Sequence, residues 1–73
     1  MPVEWERFDE KWTLTILYNS RGQAVDWATS TAGSQDNQAR IGARTSIDGS
    51  QFVDYPVVSY REAQEFVKGL GLK

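Results

Sequence analysis

The chain has 73 residues, 10 acidic and 8 basic side chains, a formal charge of −2, no histidine and no cysteine. Such a length forms one domain, residues 1–73, near the size at which a single core only just suffices. These absences exclude disulfide staples, thiolate metal sites and imidazole acid–base chemistry, and the near-neutral balance excludes the broad basic surface of a strong nucleic-acid binder.

The charge is uneven. Glu4, Glu6, Asp9 and Glu10 against Arg7 give the first ten residues a balance of −3. Residues 3–8 alternate weakly and read as a short edge strand, with a one-turn helix as the alternative. Nothing in this segment has the apolar run of a signal peptide. No stretch approaches the roughly 20 apolar residues that cross a bilayer. A cytoplasmic site, away from any membrane, is the expectation for a chain without cysteine.

Residues 12–18 form the clearest strand, with Trp12, Leu14, Ile16 and Tyr18 on one face and Thr13, Thr15 and Leu17 on the other. A turn at Asn19-Ser20-Arg21-Gly22 sends residues 23–31 back. A three-residue loop would set Ile16 opposite Asp26. An even loop pairs Ile16 with Val25 and Leu14 with Trp27, keeping one face apolar, and is the expected connection. Residues 33–38 are a polar loop. Residues 39–47 alternate Ile41, Ala43, Thr45 and Ile47 against Arg40, Gly42, Arg44 and Ser46, which predicts a third strand. Asp48-Gly49 signals a hairpin. Residues 51–58 return as a fourth strand with Val53, Tyr55 and Val57 inward and Asp54 set opposite Arg44. Pro56 cannot donate to a ladder, so this strand is an edge or the nitrogen side of Pro56 faces solvent.

The last element is a helix. Ser59-Tyr60-Arg61-Glu62 is a capping box, and Tyr60, Ala63, Phe66, Val67 and Leu70 form one apolar stripe. Gly69 or Gly71 supplies a left-handed cap, with Leu70 or Leu72 folding back. The expected fold is α+β and two-layered: an antiparallel meander of four or five strands with this one helix over Leu14, Ile16, Trp27 and Val53.

The opposite face is then free of any helix and carries Thr13, Thr15, Asp26, Arg40, Arg44 and Asp54, with Phe52 toward one end. Arg40, Arg44, Asp26, Thr15, Phe52 and the turn residue Arg21 are the expected partner-binding residues. If the arginines are anchors on a bare face, Arg44→Glu weakens binding and leaves stability unchanged.

Enzyme chemistry is not expected: Gly-x-Ser-x-Gly, Gly-x-Gly-x-x-Gly and Walker spacings are all missing. No catalytic residue, metal ligand or cofactor is assigned. The expected function is a small non-enzymatic binding protein that regulates or inhibits a larger macromolecule, of the phage or bacterial accessory type by its size. A protein is the first expected partner. A nucleic acid on the helix-free face is the alternative, with Arg40 and Arg44 on phosphates. A homodimer through an edge strand is a further expectation.

Overall fold

The computed structural model describes residues 12–31 and 36–72. Its elements are strand β1 (Trp12–Tyr18), strand β2 (Ala24–Thr31), helix α1 (Asn37–Gly42), strand β3 (Gln51–Val57) and helix α2 (Tyr60–Gly69). Among the described residues the class is α+β, with a three-stranded antiparallel sheet in the order β2-β1-β3 and two helices. The strand expected over residues 3–8 and residues 33–35 of the polar loop lie outside the described residues.

The sheet is not the expected meander of four or five strands. β1 takes the centre because it is the strand most apolar on both faces: Leu14, Ile16 and Leu17 are fully buried and Thr15 nearly so. β2 and β3 both run antiparallel to β1 and hence parallel to each other. Parallel strands need a long crossover, and residues 32–50 provide it.

α1 lies within that crossover, where a third strand was expected over residues 39–47. The local period is helical: Asn37 and Ile41, four residues apart, are the buried members. Ile47, which a strand would have turned inward, is exposed. Residues 43–45 and 48–49 turn the chain, and no strand forms over 43–50. Asp48-Gly49 does turn the chain, with Ser50 N–H on the Ile47 carbonyl at 3.0 Å and Gly49 at φ 70°. It leads into β3 without a hairpin partner before it.

The described residues therefore form three layers. α2 covers Leu14, Ile16 and Val57 with Ala63 and Val67, and Trp27 and Tyr55 pack around them. α1 covers Leu17 and Ala28 with Ile41, and Phe52 packs alongside. The face expected to be helix-free is the one under α1.

The β1–β2 turn has three residues where an even number was expected. Asn19 N–H bonds the Gln23 carbonyl at 2.8 Å, and Gly22 takes φ 79°. Asn19 Oδ1 accepts from the N–H groups of Arg21 and Gln23. Tyr18 then opposes Ala24, Val25 bulges out, and Leu17 opposes Asp26. Ile16 thus meets Trp27 and Leu14 meets Thr29. The bulge restores the side-chain parity that the odd loop alone would have broken.

α2 begins and ends as its residues dictate. Ser59 Oγ accepts from Glu62 N–H at 3.1 Å. Glu62 reaches back one residue further than a standard capping box, accepting from Val58 N–H at 2.7 Å. At the other end Leu72 N–H bonds the Val67 carbonyl and Gly71 N–H the Lys68 carbonyl, both at 3.0 Å. This is a Schellman cap with Gly71 at φ 87°, and Leu72 packs back on the core.

Candidate functional site

β2 is an outer strand of the described sheet, and side chains from α1 and the turn after it close its free edge. In an antiparallel strand, alternate residues turn their backbone groups away from the neighbour. On β2 those residues include Trp27 and Thr29. Trp27 N–H donates to Asp26 Oδ1 at 2.7 Å. The Trp27 carbonyl accepts from Arg44 Nη2 at 2.7 Å, and the Thr29 carbonyl accepts from Arg40.

Asp26 is the hub. Besides Trp27 N–H, it accepts Arg44 Nε at 2.9 Å, Arg44 Nη2 at 3.2 Å and Thr45 Oγ1 at 2.6 Å. Burial pushes its carboxyl upward in pKa, but the donors of Arg44, Thr45 and Trp27 outweigh burial and hold it below the ordinary carboxylate value.

A polar relay continues beneath α1. Arg40 donates to Asn37 Oδ1. Asn37 Nδ2 donates to the Thr13 carbonyl at 3.0 Å and to Thr15 Oγ1 at 3.1 Å, and Thr15 donates to Asp54 Oδ1 at 2.7 Å. Asp54 thus lies opposite Thr15, not opposite Arg44 as expected.

Of the six expected partner-binding residues, Arg40, Arg44 and Asp26 come together on the β2 edge. Thr15 is sealed under Asn37, and Phe52 packs at the margin of the α1 cluster. Arg21 stands apart on the β1–β2 turn. The two guanidinium side chains keep about half of their exposure, 46% for Arg40 and 52% for Arg44. They face solvent while serving as clamps. Arg44→Glu would therefore break the α1–β2 contact, where a bare face would have left the fold untouched.

Sequence reasoning missed Tyr60 as a surface group, since it read as core; Trp27 packs on the core as expected, and its exposed part also lines the surface. The Tyr60 ring lies 6.0 Å from Trp12 and 6.3 Å from Trp27, and Tyr60 is 44% exposed. A tyrosine at the first position of a helix, followed by Arg61, was the available signal. Trp27 separates two depressions. One, of about 420 Å³, is walled by Arg40, Arg44, Asp26 and Tyr60. The other, of about 450 Å³, has Trp27, Val67 and Leu72 with Arg61, Glu65 and Lys68.

Among the described residues no three histidine, cysteine, aspartate or glutamate side chains converge as metal ligands, and no helix is long and apolar enough to cross a membrane. Compared with protein-family models, with curated proteins and with solved structures, the chain finds no match in any of the three.

Proposed function

We propose that the chain is a small non-enzymatic binding protein that acts in the cytoplasm and regulates or inhibits a larger protein, which it grips along the β2 flank. The observation that carries this reading is the trough divided by Trp27. Its apolar part is formed by Trp27, Val67 and Leu72, and its charged neighbours are Arg61, Glu65 and Lys68 on one side and Arg40, Arg44 and Asp26 on the other. Aromatic and arginine side chains beside an apolar floor are the usual anchors of protein interfaces. Charges of both signs suit a polypeptide better than a polyanion.

The nucleic-acid alternative has weaker support. Arg40 and Arg44 already serve Asp26, Asn37 and two carbonyls, and the net charge is −2. A catalytic reading has less. Among the described residues, the two ionisations that clearly depart from ordinary values both move away from neutrality: Asp26 downward and Tyr18 upward to about 12. A general acid or base works best near the ambient pH.

The test is affinity capture from the source organism's lysate, with nuclease treatment, using the native chain and an Arg61→Glu/Lys68→Glu variant side by side. A protein retained by the native chain and lost from the equally stable variant is the expected result. Retention of nucleic acid, or equal retention by both chains, overturns the reading.

A further inference from the structure

Among the described residues, the two outer edges of the sheet are treated differently. On β2 the outward groups of Trp27 and Thr29 are occupied by Asp26, Arg44 and Arg40. This closes the edge to strand addition. Because Trp27 and Thr29 look outward, Asp26, Ala28 and Ser30 face β1 and bond to Leu17, Thr15 and Thr13. The even-numbered residues of β1 are then left for β3, opposite Val57, Tyr55, Val53 and Gln51. Phe52, Asp54 and Pro56 therefore turn their backbone groups away from the sheet. Pro56 is compatible with that position because it has no N–H to leave unpaired. No side chain among the described residues bonds the outward backbone of Phe52 or Asp54.

We propose that β3 pairs antiparallel with β3 of a second copy of this chain, joining two three-stranded sheets across a two-fold axis at Val53. The register follows from what β3 carries. Outward-facing residues must oppose outward-facing residues, so the axis passes through a residue, with Phe52, Val53, Asp54 and Tyr55 as the central choices. At Tyr55 it would set Asp54 opposite Pro56, which has no N–H to give. At Asp54 it would set two like charges face to face and put Pro56, which has no N–H, opposite the Phe52 carbonyl. At Phe52 it would match Asp54 with Ser50, beyond the end of the strand. At Val53 it matches Phe52 with Asp54 in both directions, and each outward N–H and carbonyl of the two residues finds a partner.

The side chains along this margin agree. Phe66 stacks on Tyr55 of β3 with centroids 5.0 Å apart, yet stays 39% exposed, and Leu70, one turn on, is 41% exposed. A two-fold at Val53 brings this apolar strip beside its own copy. The β2 flank is untouched, so the dimer stands or falls separately from the binding function proposed above.

The chain has no cysteine, so Val53→Cys introduces a single thiol. Opposed non-hydrogen-bonded residues of an antiparallel pair lie about 4.5 Å apart at Cα, within disulfide range. Under mild oxidation Val53→Cys is expected to form a covalent dimer nearly completely. Val25→Cys, an exposed position on the closed β2 edge, should cross-link many-fold more slowly. Sedimentation equilibrium of the native chain should give twice the monomer mass. Equal cross-linking of the two variants overturns the proposal. So does a native chain that stays monomeric at its solubility limit, or a native dimer that Val53→Cys fails to cross-link. A monomer whose β3 amides are protected from exchange only by a foreign strand would assign the edge to another protein and likewise overturn it.

Discussion

Removing the Asp26 carboxylate takes four hydrogen-bond acceptances away at once, releases Thr45 and leaves Arg44 tied to β2 through the Trp27 carbonyl. A charge-assisted bond is worth about 1.5–3 kcal/mol when its geometry is good. Exposure of Arg44 and loss of several weaker bonds pull in opposite directions, so Asp26→Ala should cost about 2 kcal/mol in urea denaturation. The pH dependence has a definite sign. The folded-state pKa of Asp26 lies below the unfolded one. Its stabilisation is therefore complete above the ordinary carboxylate value near 3.9 and fades as pH falls through the lower folded value. The stability gap between native and Asp26→Asn chains should stay constant from neutral pH to mild acid and shrink only under strong acid. Ser30 is the opposite case. Its hydroxyl is buried and finds no partner among the described residues. An orphaned polar group costs free energy, so Ser30→Ala should raise stability, by about 1 kcal/mol.

At the scale of elements, the two helices differ in what holds them. α2 has a serine cap at one end and a glycine cap at the other. Gly71→Ala forces an alanine to φ 87° and should cost about 1 kcal/mol by thermal melting. Both ends were readable in the residues themselves, because caps depend on neighbours within a few positions. β1 was readable for a similar reason: alternation from Trp12 to Ile16, carried on by Leu17 and Tyr18, leaves little choice. α1 was not. With six residues it is too short to show a helical stripe, and Ile41, Ala43, Thr45 and Ile47 mimic a strand. What fixes α1 is distant in sequence: Asn37 bonded to Thr13 and Thr15, and Arg40 and Arg44 bonded to β2. The grouping of Arg40, Arg44 and Asp26 was expected for the wrong reason. They meet because residues four apart share the side of α1 and its following turn, not because they line a sheet face. Thr15 and Phe52 were placed on an exposed platform, and the burial they show required knowing that α1 lies above them.

For the whole molecule, the sheet has one strand buried on both faces and two strands at the margins of the described residues. Opening free energies should follow that arrangement. In native-state hydrogen exchange, β1 amides are expected to be the slowest and to report global unfolding. α1 amides should exchange well before them, since α1 is one short helix held by Ile41, Asn37 and two half-exposed arginines. Equal protection of α1 and β1 would mean that the clamp on β2 opens only with the core.

The hairpin also carries slack in its length. Val25 is passed over by the ladder and its side chain is 40% exposed. Deleting it leaves each observed pair from Trp12–Thr31 to Tyr18–Ala24 available. The shortened chain should express and melt much like the parent. Deleting Ala28, three positions further along, would swap the faces of the residues on one side of the gap, and that chain should not fold. A strand this short can thus afford to lose a residue at one address and at few others.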